Sequence, residues 1–306
     1  MRKRVDWPPV LLNSPAMTAT APSEETATLL VSCPDRPGLV AALAQILYGH
    51  GANILDADQH TDAVAGQFFQ RIRFDLSGLR TDRVTLEGAI GEAAERFEMQ
   101  WSLRLATDRK RMAIFVSRYD HCLYDLLLRH RAGELDCDIP LVVSNHEDLA
   151  PVAETFAVPY HVFPITKQTK AEQEARELEL LEAAGVDLVV LARYMQVLTG
   201  DFIAHYPSRI INIHHSFLPA FMGGKPYQRA SERGVKLIGA TAHYATTDLD
   251  EGPIIEQDVI RASHRDTVDD LVRKGRDVER NVLARAVRWH LDDRVLAYGN
   301  KTVVFD

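Results

Sequence analysis

Two short stretches of the sequence place polar side chains where they could perform acid–base chemistry. The first, residues 212–215 with the sequence Asn-Ile-His-His, lies at the end of the apolar run 210–213. Because Asn212 and His214 are two residues apart on an extended segment, their side chains project to the same side. An Asn amide can donate to a developing oxyanion, and a His can do so or move a proton. Both side chains could instead simply bond loop backbone.

The second stretch, residues 249–253, carries two neighbouring carboxylates. Asp250 and Glu251 stand immediately before a Gly-Pro pair that opens another predicted strand. One of these carboxylates could orient a water molecule, or hold His214 in its charged form. An ordinary turn would also explain an acidic residue at this place.

A metal site is a third interpretation of the polar residues, because several histidines lie near Asp250 in the predicted fold. The sequence has no His-x-x-x-His pair and no Cys-x-x-Cys pair, and neighbours on a strand, such as His214 and His215, are expected to point to opposite faces. We therefore predict no metal site and no tightly bound cofactor. Residues 223–226, Gly-Gly-Lys-Pro, indicate a flexible lid or turn, and neither Lys225 nor Gln196 has a predicted role.

The composition is that of an ordinary globular protein. The chain has 306 residues, of which 46% are hydrophobic and 25% charged, with a net charge of −8. These values exclude a collagen-like or disordered chain, and the acidic balance gives no sign of nucleic-acid binding. No apolar run reaches the ~18 residues that a bilayer crossing needs, and the basic first four residues lead into no apolar signal segment. We expect a cytoplasmic protein that does not bind membranes.

The elements before residue 108 form a small unit of their own. Residues 1–25 lack periodicity and predict a flexible tail. Over residues 26–107 the pattern predicts strands, helices and turns in the order βαββαβ, the ferredoxin-like arrangement. In the third strand, alternation places Phe68, Gln70, Ile72, Phe74 and Leu76 on the same face.

The rest of the chain, residues 108–306, alternates between strands and helices. The charged stretch 108–111 is predicted as the linker, and short apolar strands are predicted at 113–116, 141–143, 160–163, 188–191 and 210–213. Helical segments follow the first four strands, so we predict a Rossmann-like, mostly parallel α/β sheet. Two more strands (236–244 and 253–260), a long helix (268–291) and a last strand (302–305) complete the unit. Ligands of such sheets bind beyond the carboxyl ends of the strands, where Asn212 and His214 lie.

Residues 212–219, Asn-Ile-His-His-Ser-Phe-Leu-Pro, resemble the signature of the folate-dependent formyltransferases. Asp250 follows at the spacing of that family's catalytic aspartate. The smaller unit resembles an ACT domain, with residues 35–40, Asp-Arg-Pro-Gly-Leu-Val, as its first loop and helix start. The two units in this order are similar to the formyltetrahydrofolate deformylase family.

The resemblance implies hydrolysis of 10-formyltetrahydrofolate to tetrahydrofolate and formate, which would supply formate for purine synthesis and balance the one-carbon pool. It makes Asn212 and His214 the oxyanion donors and Asp250 the group that positions the water and takes its proton. The substrate-binding residues that it implies are Arg193, Met195, Leu198, Thr246 and Leu249.

The ACT resemblance implies an amino-acid effector, methionine or glycine, and a homo-oligomer. It places Asp35, Gly38, Asn53 and Ile54 at the effector site. Two alternatives stay open beside the hydrolase. One is a transformylase that passes the formyl group to an amine, although residues 117–122 lack the glycines that would hold an acceptor's phosphate. The other is a non-catalytic folate or amino-acid sensor.

Overall fold

The computed structural model describes residues 25–220 and 226–306, and the first of its two units has the predicted order βαββαβ. The tail predicted at residues 1–25 lies, except for Glu25, outside the described residues. The four strands form an antiparallel sheet in the order β2-β3-β1-β4, which confirms the ferredoxin-like arrangement. The elements are β1 (Thr26–Pro34), α1 (Leu39–His50), β2 (Asn53–Asp62), β3 (Gln67–Asp75), α2 (Arg83–Phe97) and β4 (Gln100–Leu105).

Both faces of this small sheet are buried. Phe68, Ile72 and Phe74 share one face, as the alternation predicts, and pack in one core cluster with residues of the two helices. Phe69 projects to the opposite face and is fully buried there, because the end of the chain covers that face with Val303 and Phe305. This cover comes from more than 200 positions away, and a local pattern carries no information about that contact.

The second unit is a mixed, mostly parallel sheet with helices on both faces, as predicted. Its strand order is β12-β11-β10-β9-β5-β7-β8. The five strands from β10 to β8 are parallel to one another, whereas the pairs β10–β11 and β11–β12 are antiparallel. The elements are β5 (Lys110–Val116), α3 (His121–Arg131), β6 (Cys137–Asp138), β7 (Val142–Ser144), α4 (Ala150–Thr155), β8 (Tyr160–Val162), α5 (Lys170–Ala183), β9 (Leu188–Leu191), α6 (Gly200–His205), β10 (Ile210–His214), α7 (Pro226–Arg233), β11 (Leu237–Tyr244), β12 (Ile254–Arg261) and α8 (Val268–Leu291).

Two predicted boundaries are corrected by the structure. The predicted linker 108–111 overlaps β5, which begins at Lys110, because this lysine is buried and forms an ion pair with Asp293 at 2.7 Å. The predicted last strand is Lys301–Val304 (β14), and it pairs with Val295–Tyr298 (β13) in a separate hairpin rather than joining the large sheet.

The two units meet at the end of α8. Arg71 on β3 donates to the carbonyl oxygens of Asp292 and Asp293, at 3.3 and 2.9 Å. The Lys110 ammonium donates to the carbonyl oxygens of His290 and Leu291. Unpaired carbonyls at a helix C-terminus attract cations. Arg71 therefore fixes the small unit against the end of α8, and Lys110 holds the same end of the helix against β5 of the large unit. None of the helices in the described ranges has the length and apolar composition that a membrane crossing requires.

Candidate active site

The carboxyl ends of β9 and β10 open onto a cavity of about 560 Å³. All eight side chains expected at the catalytic and substrate sites line it, and so do residues that the sequence analysis did not single out. The expected residues are Asn212, His214, Asp250, Arg193, Met195, Leu198, Thr246 and Leu249; the additional polar ones include Tyr119, His121, His215, Tyr227, His243, Arg276 and Glu279.

His214 and Asp250 form a hydrogen-bonded pair beside this cavity. Nδ1 of His214 lies 3.1 Å from Oδ1 of Asp250, and both side chains are more than nine-tenths buried. The other ring nitrogen of His214, Nε2, is buried without a partner among the described residues. Because Nδ1 is engaged by the carboxylate, Nε2 is the atom of His214 that is available to a bound substrate.

The amide of Asn212 is oriented by His243. Burial lowers the pKa of His243, so its ring is neutral at pH 7. Its Nδ1 lies 3.0 Å from the carbonyl oxygen of Tyr244 and must carry the proton, which leaves Nε2 as an acceptor. Nδ2 of Asn212 donates to this Nε2 at 3.1 Å. The second proton of that amide is left to donate to another group.

The charges around Asp250 favour its ionised form. Burial alone would raise the pKa of Asp250, but the hydrogen bond and charge of His214 outweigh it and lower the pKa below 3.8. Burial and the positive charges of Arg193 and His214 lower the pKa of His215 to about 3, so this ring stays neutral. His215 lines the same cavity as His214, which corrects the expectation of opposite faces: β10 ends at His214, so strand alternation stops there.

We name Met195, Leu198, Thr246 and Leu249 the apolar wall of the cavity. Helix α5 holds the loop between β9 and α6, which carries the first two of them. Glu174 accepts from the backbone and side chain of Thr199, and Tyr194 donates to the buried Glu177 at 3.3 Å. Lys170 donates to the carbonyl oxygen of Val197. Anchoring of this kind fixes a loop that would otherwise be the mobile part of a binding site.

Glu279 on α8 organises a second group of side chains, which we name the Glu279 cluster: Tyr119, His121, Arg193, Tyr227 and Glu279. His121 Nε2 and the Tyr227 hydroxyl lie 2.8 and 2.5 Å from its two oxygens, and Arg193 Nε lies at 3.4 Å. Arg193 also stacks over the ring of Tyr119 at 4.8 Å. Burial would raise the pKa of Glu279, but His121 and Arg193 hold it at about 2, so the carboxylate is ionised.

Tyr227 reaches Glu279 because α8 carries no side chain at Gly275. A Cβ at this position would lie 2.0 Å from the Tyr227 hydroxyl oxygen. The cluster has one sequence signal that we did not use: Glu279 is a carboxylate on the buried face of α8, among Leu271, Val278, Val282 and Leu283. A charge in an apolar stripe is costly unless it is paired, and so marks a site.

The one group of potential metal ligands found in the described residues overlaps the Glu279 cluster. It consists of His121, Cys122 and Glu279, with donor atoms within 4.8 Å of one another. These residues fit a metal poorly. Both oxygens of Glu279 are already engaged, and Arg193 would repel a cation. Burial raises the pKa of the Cys122 thiol well above its ordinary value, which disfavours the thiolate that a metal needs.

The four expected effector residues lie on the first unit and do not come together within one chain. Asp35 and Gly38 precede α1, with Gly38 at the helix N-cap, whereas Asn53 and Ile54 open β2 after the helix has ended. A helix of 12 residues separates the two pairs by about 18 Å. All four residues are exposed, so a small ligand that touches both pairs would need residues from two copies.

Comparisons with known proteins divide the chain in the same way. The formyl transferase family model matches residues 110–287, and the ACT domain model matches residues 27–82. A formyltetrahydrofolate deformylase from Synechocystis sp. is 58% identical over 92% of this chain and 98% of its own length. One from Bacillus subtilis is 54% identical over 93% of this chain and 95% of its own.

Solved structures agree with these relatives. The crystal structure of a formyltetrahydrofolate deformylase from Pseudomonas syringae pv. tomato has a TM-score of 0.90 and 48% identity, and covers 92% of this chain and 94% of its own. A glycinamide ribonucleotide transformylase from Symbiobacterium toebii has a TM-score of 0.63 and 32% identity, and covers 67% of this chain and 98% of its own. With an ACT domain followed by a formyl transferase domain, and with relatives of this identity over nine-tenths of its length, the chain belongs to the formyltetrahydrofolate deformylase family.

Proposed function

We propose that the protein hydrolyses 10-formyltetrahydrofolate to tetrahydrofolate and formate, with Asn212, His214 and Asp250 as its catalytic residues. The observation that carries these roles is the His214–Asp250 pair, in which the carboxylate engages Nδ1 and the buried Nε2 has no partner. In the cell this reaction would supply formate for purine synthesis and balance the one-carbon pool.

The reaction begins with a water molecule placed by Asp250. The lowered pKa of this side chain keeps it an acceptor at neutral pH. The water oxygen forms a bond to the formyl carbon while its proton passes to Asp250, and the formyl oxygen becomes an oxyanion. General-base catalysis of this type typically contributes 10²–10⁴-fold.

The oxyanion accepts hydrogen bonds from the free N–H of Asn212 and from Nε2–H of protonated His214. Asp250 stabilises the charged imidazole through Nδ1, and one such oxyanion donor is worth about 3 kcal/mol. Collapse of the intermediate breaks the bond between the formyl carbon and N10 of the folate. N10 takes the Nε2 proton of His214, and the proton that Asp250 took from water restores the charged His214–Asp250 pair. The second proton of the water, carried by the hydroxyl group of the intermediate, passes to solvent as formate leaves.

The apolar wall supplies the remaining contacts in this account. Met195, Leu198, Thr246 and Leu249 would border the pterin ring, with Met195 and Leu249 exposed at the mouth and Leu198 buried below. The anchors from α5 support this role, because a ring is held best by a loop that does not move. No group tightly bound to the protein is needed for any of the steps above.

Water is favoured over an amine acceptor by the loop after β5. Residues 117–122, Ser-Arg-Tyr-Asp-His-Cys, contain no glycine, and two of their side chains, Tyr119 and His121, enter the Glu279 cluster. An acceptor's phosphate would have to displace these side chains. The transformylase alternative is therefore not favoured.

The smaller unit, residues 26–107, would act as the regulatory domain of a cytoplasmic enzyme, and residues 108–306 as the catalytic domain. Methionine or glycine is the effector that we propose, bound near Asp35, Gly38, Asn53 and Ile54. The separation of these pairs along α1 supports a homo-oligomer in which two copies share each effector site.

The substitution Asp250→Asn tests the catalytic assignment. We expect it to lower kcat at least 10³-fold and to leave folate binding within about threefold, because the amide cannot accept the water's proton. Asp248→Asn is the matched control: this exposed carboxylate lies two residues away and should keep normal turnover. An Asp250→Asn variant with near-normal kcat would overturn the assignment.

A further inference from the structure

The Arg193 guanidinium is buried and makes no hydrogen bond to the residues that the structure describes, 25–220 and 226–306. The residue is 7% exposed and lines the cavity. Its contacts there are the ion pair of Nε with Glu279 at 3.4 Å, in which Nε is not hydrogen-bonded, and the stack on Tyr119. Because a guanidinium has five N–H donors and burial without partners is costly, this arrangement indicates that a ligand completes it.

The surrounding unpartnered atoms point to the same cavity. Nδ1 of His121, Nε2 of His214 and Nδ1 of His215 are also buried without a partner among the described residues, and all three residues line the cavity. Arg193 itself follows β9 with a φ of 66°, a strained conformation for a residue with a side chain. Strain of this kind persists where the surroundings hold a residue in place, and it is common at binding sites.

We propose that Arg193, with His121 and His215 beside it, forms a binding site for a small monovalent carboxylate, the formate that the reaction releases. This assignment rests on the proposed hydrolysis. It gives Arg193 a role toward the product, whereas the family resemblance implies contact with the folate. The formyl carbon at Asn212 and His214 would become formate next to this guanidinium, because His215 adjoins His214 and their ring centroids are 5.0 Å apart.

The charges around Arg193 favour a singly charged anion over a doubly charged one. The Glu279 carboxylate is ionised and lies within ion-pair distance of the same guanidinium. Arg193 offsets that charge, and the exposed Arg276 at the cavity adds one more positive charge. A dianion such as phosphate would meet Glu279 directly, whereas formate is small and singly charged and can pair with the open face of Arg193. A phosphorylated acceptor is therefore the disfavoured occupant.

The test is a titration of the resting protein with ¹³C-formate, followed by NMR line broadening. We expect a dissociation constant in the millimolar range for a ligand of three heavy atoms. Arg193→Gln alone would leave Glu279 as an unpaired buried charge, so the double variant Arg193→Gln/Glu279→Gln is used, and it should bind formate at least 10-fold more weakly. Glu279→Gln alone removes the repulsion and should bind formate several-fold more tightly. Arg96→Gln, an exposed arginine on α2 of the other unit, is the control and should change binding less than threefold.

Three outcomes would overturn the formate site: equal binding of formate by wild type and the double variant, equal binding of chloride, or tighter binding of inorganic phosphate than of formate. Acceptor-free hydrolysis of 10-formyltetrahydrofolate is measured on the same wild-type sample. Hydrolysis without Arg193-dependent formate binding overturns this inference and leaves the proposed function. Arg193-dependent formate binding without hydrolysis overturns the proposed function and leaves an anion site.

Discussion

Gly252 lies so close to Tyr244 that a Cβ on it would be 1.8 Å from the Tyr244 carbonyl oxygen. The backbone N–H of Tyr244 also donates to the carbonyl oxygen of Pro253 at 2.9 Å. The turn that carries Asp250 is thus fixed to the end of β11, and Asp250 itself adopts a left-handed φ of 60°. The position of this proposed catalytic carboxylate therefore depends on close backbone contacts between the turn and β11.

The substitution Gly252→Ala tests this dependence. Because the new methyl group forces the turn away from Tyr244, the His214–Asp250 pair should break, and we expect kcat to fall at least 10-fold. The free energy of unfolding should fall by about 1–3 kcal/mol. Gly88→Ala is the control, since a Cβ there meets no atom within 4 Å and the residue, like Gly252, has no left-handed φ. Unchanged kcat in Gly252→Ala would contradict the account.

Glu177 gives a pH prediction for the loop under the apolar wall. Burial raises the pKa of Glu177 from 4.5 to about 7. The folded protein binds this proton more tightly than the unfolded chain, so the stability it contributes is fully present below pH 4.5 and is lost as the pH rises through 7. Glu177→Gln, which stays neutral, should raise the free energy of unfolding at pH 8 by up to about 3 kcal/mol.

Denaturant titrations at pH 4 and pH 8 measure this effect. The variant should differ from wild type far less at pH 4, where Glu177 is protonated in both states. Glu179→Gln, an exposed neighbour on α5, should show no pH-dependent difference. An equal effect of Glu177→Gln at both pH values would show that protonation of this carboxylate is not the cause.

The lowered pKa of His290 should reduce the free energy of unfolding in acid. Burial lowers its pKa from 6.5 to about 3, and its Nδ1 lies 2.8 Å from the Tyr244 hydroxyl group. The unfolded chain therefore binds one more proton between pH 6.5 and 3, and the free energy of unfolding falls by about 1.4 kcal/mol per pH unit in that window. His290→Gln can still accept from Tyr244 and should remove this slope.

The measurement is the free energy of unfolding at pH 7 and pH 5 for wild type, His290→Gln and the exposed control His264→Gln. The first variant should lose less stability on acidification than wild type, and the control should behave as wild type. Parallel losses in all three proteins would mean that His290 titrates normally in the folded state.

Arg71 links the ACT domain, for which we propose a regulatory role, to α8, the helix that carries Glu279. Arg71→Met removes its bonds to the carbonyl oxygens of Asp292 and Asp293. We expect turnover without effector to stay within about threefold, and the change in turnover caused by methionine or glycine to shrink at least fivefold. Activity is measured with and without each amino acid, and Arg96→Met, an exposed arginine on α2, is the control. A full effector response in Arg71→Met would exclude this link.

The sequence predicts the parts of the fold that depend on local periodicity. The order βαββαβ, the alternation of strands and helices after Lys110, and the shared edge of Asn212 and His214 all follow from short-range patterns. Contacts between distant segments do not. The burial of Phe69 by Phe305, and the pairing of Lys110 with Asp293, depend on how the two units pack, which no window of sequence records.

In the candidate active site, too, local motifs can be predicted from the sequence and contacts between distant segments cannot. The motif around His214 and the turn at Asp250 can be recognised in the chain, and their 3.1 Å contact follows from the sheet topology. The Glu279 cluster draws its members from the loop after β5, α3, the loop after β9, α7 and α8, and the resemblance implied a role for Arg193 alone. Glu279 on the apolar face of α8 is a further signal, but it gives no indication of its partners.

Formate release from 10-formyltetrahydrofolate without any amine acceptor is the most direct test of the account. Purified wild-type protein and Asp250→Asn are compared, with folate binding measured on both. The account predicts catalytic formate release by wild type, and a loss of at least 10³-fold with folate still bound by the variant. Folate binding by wild type without formate release, or release only after an amine is added, would contradict it.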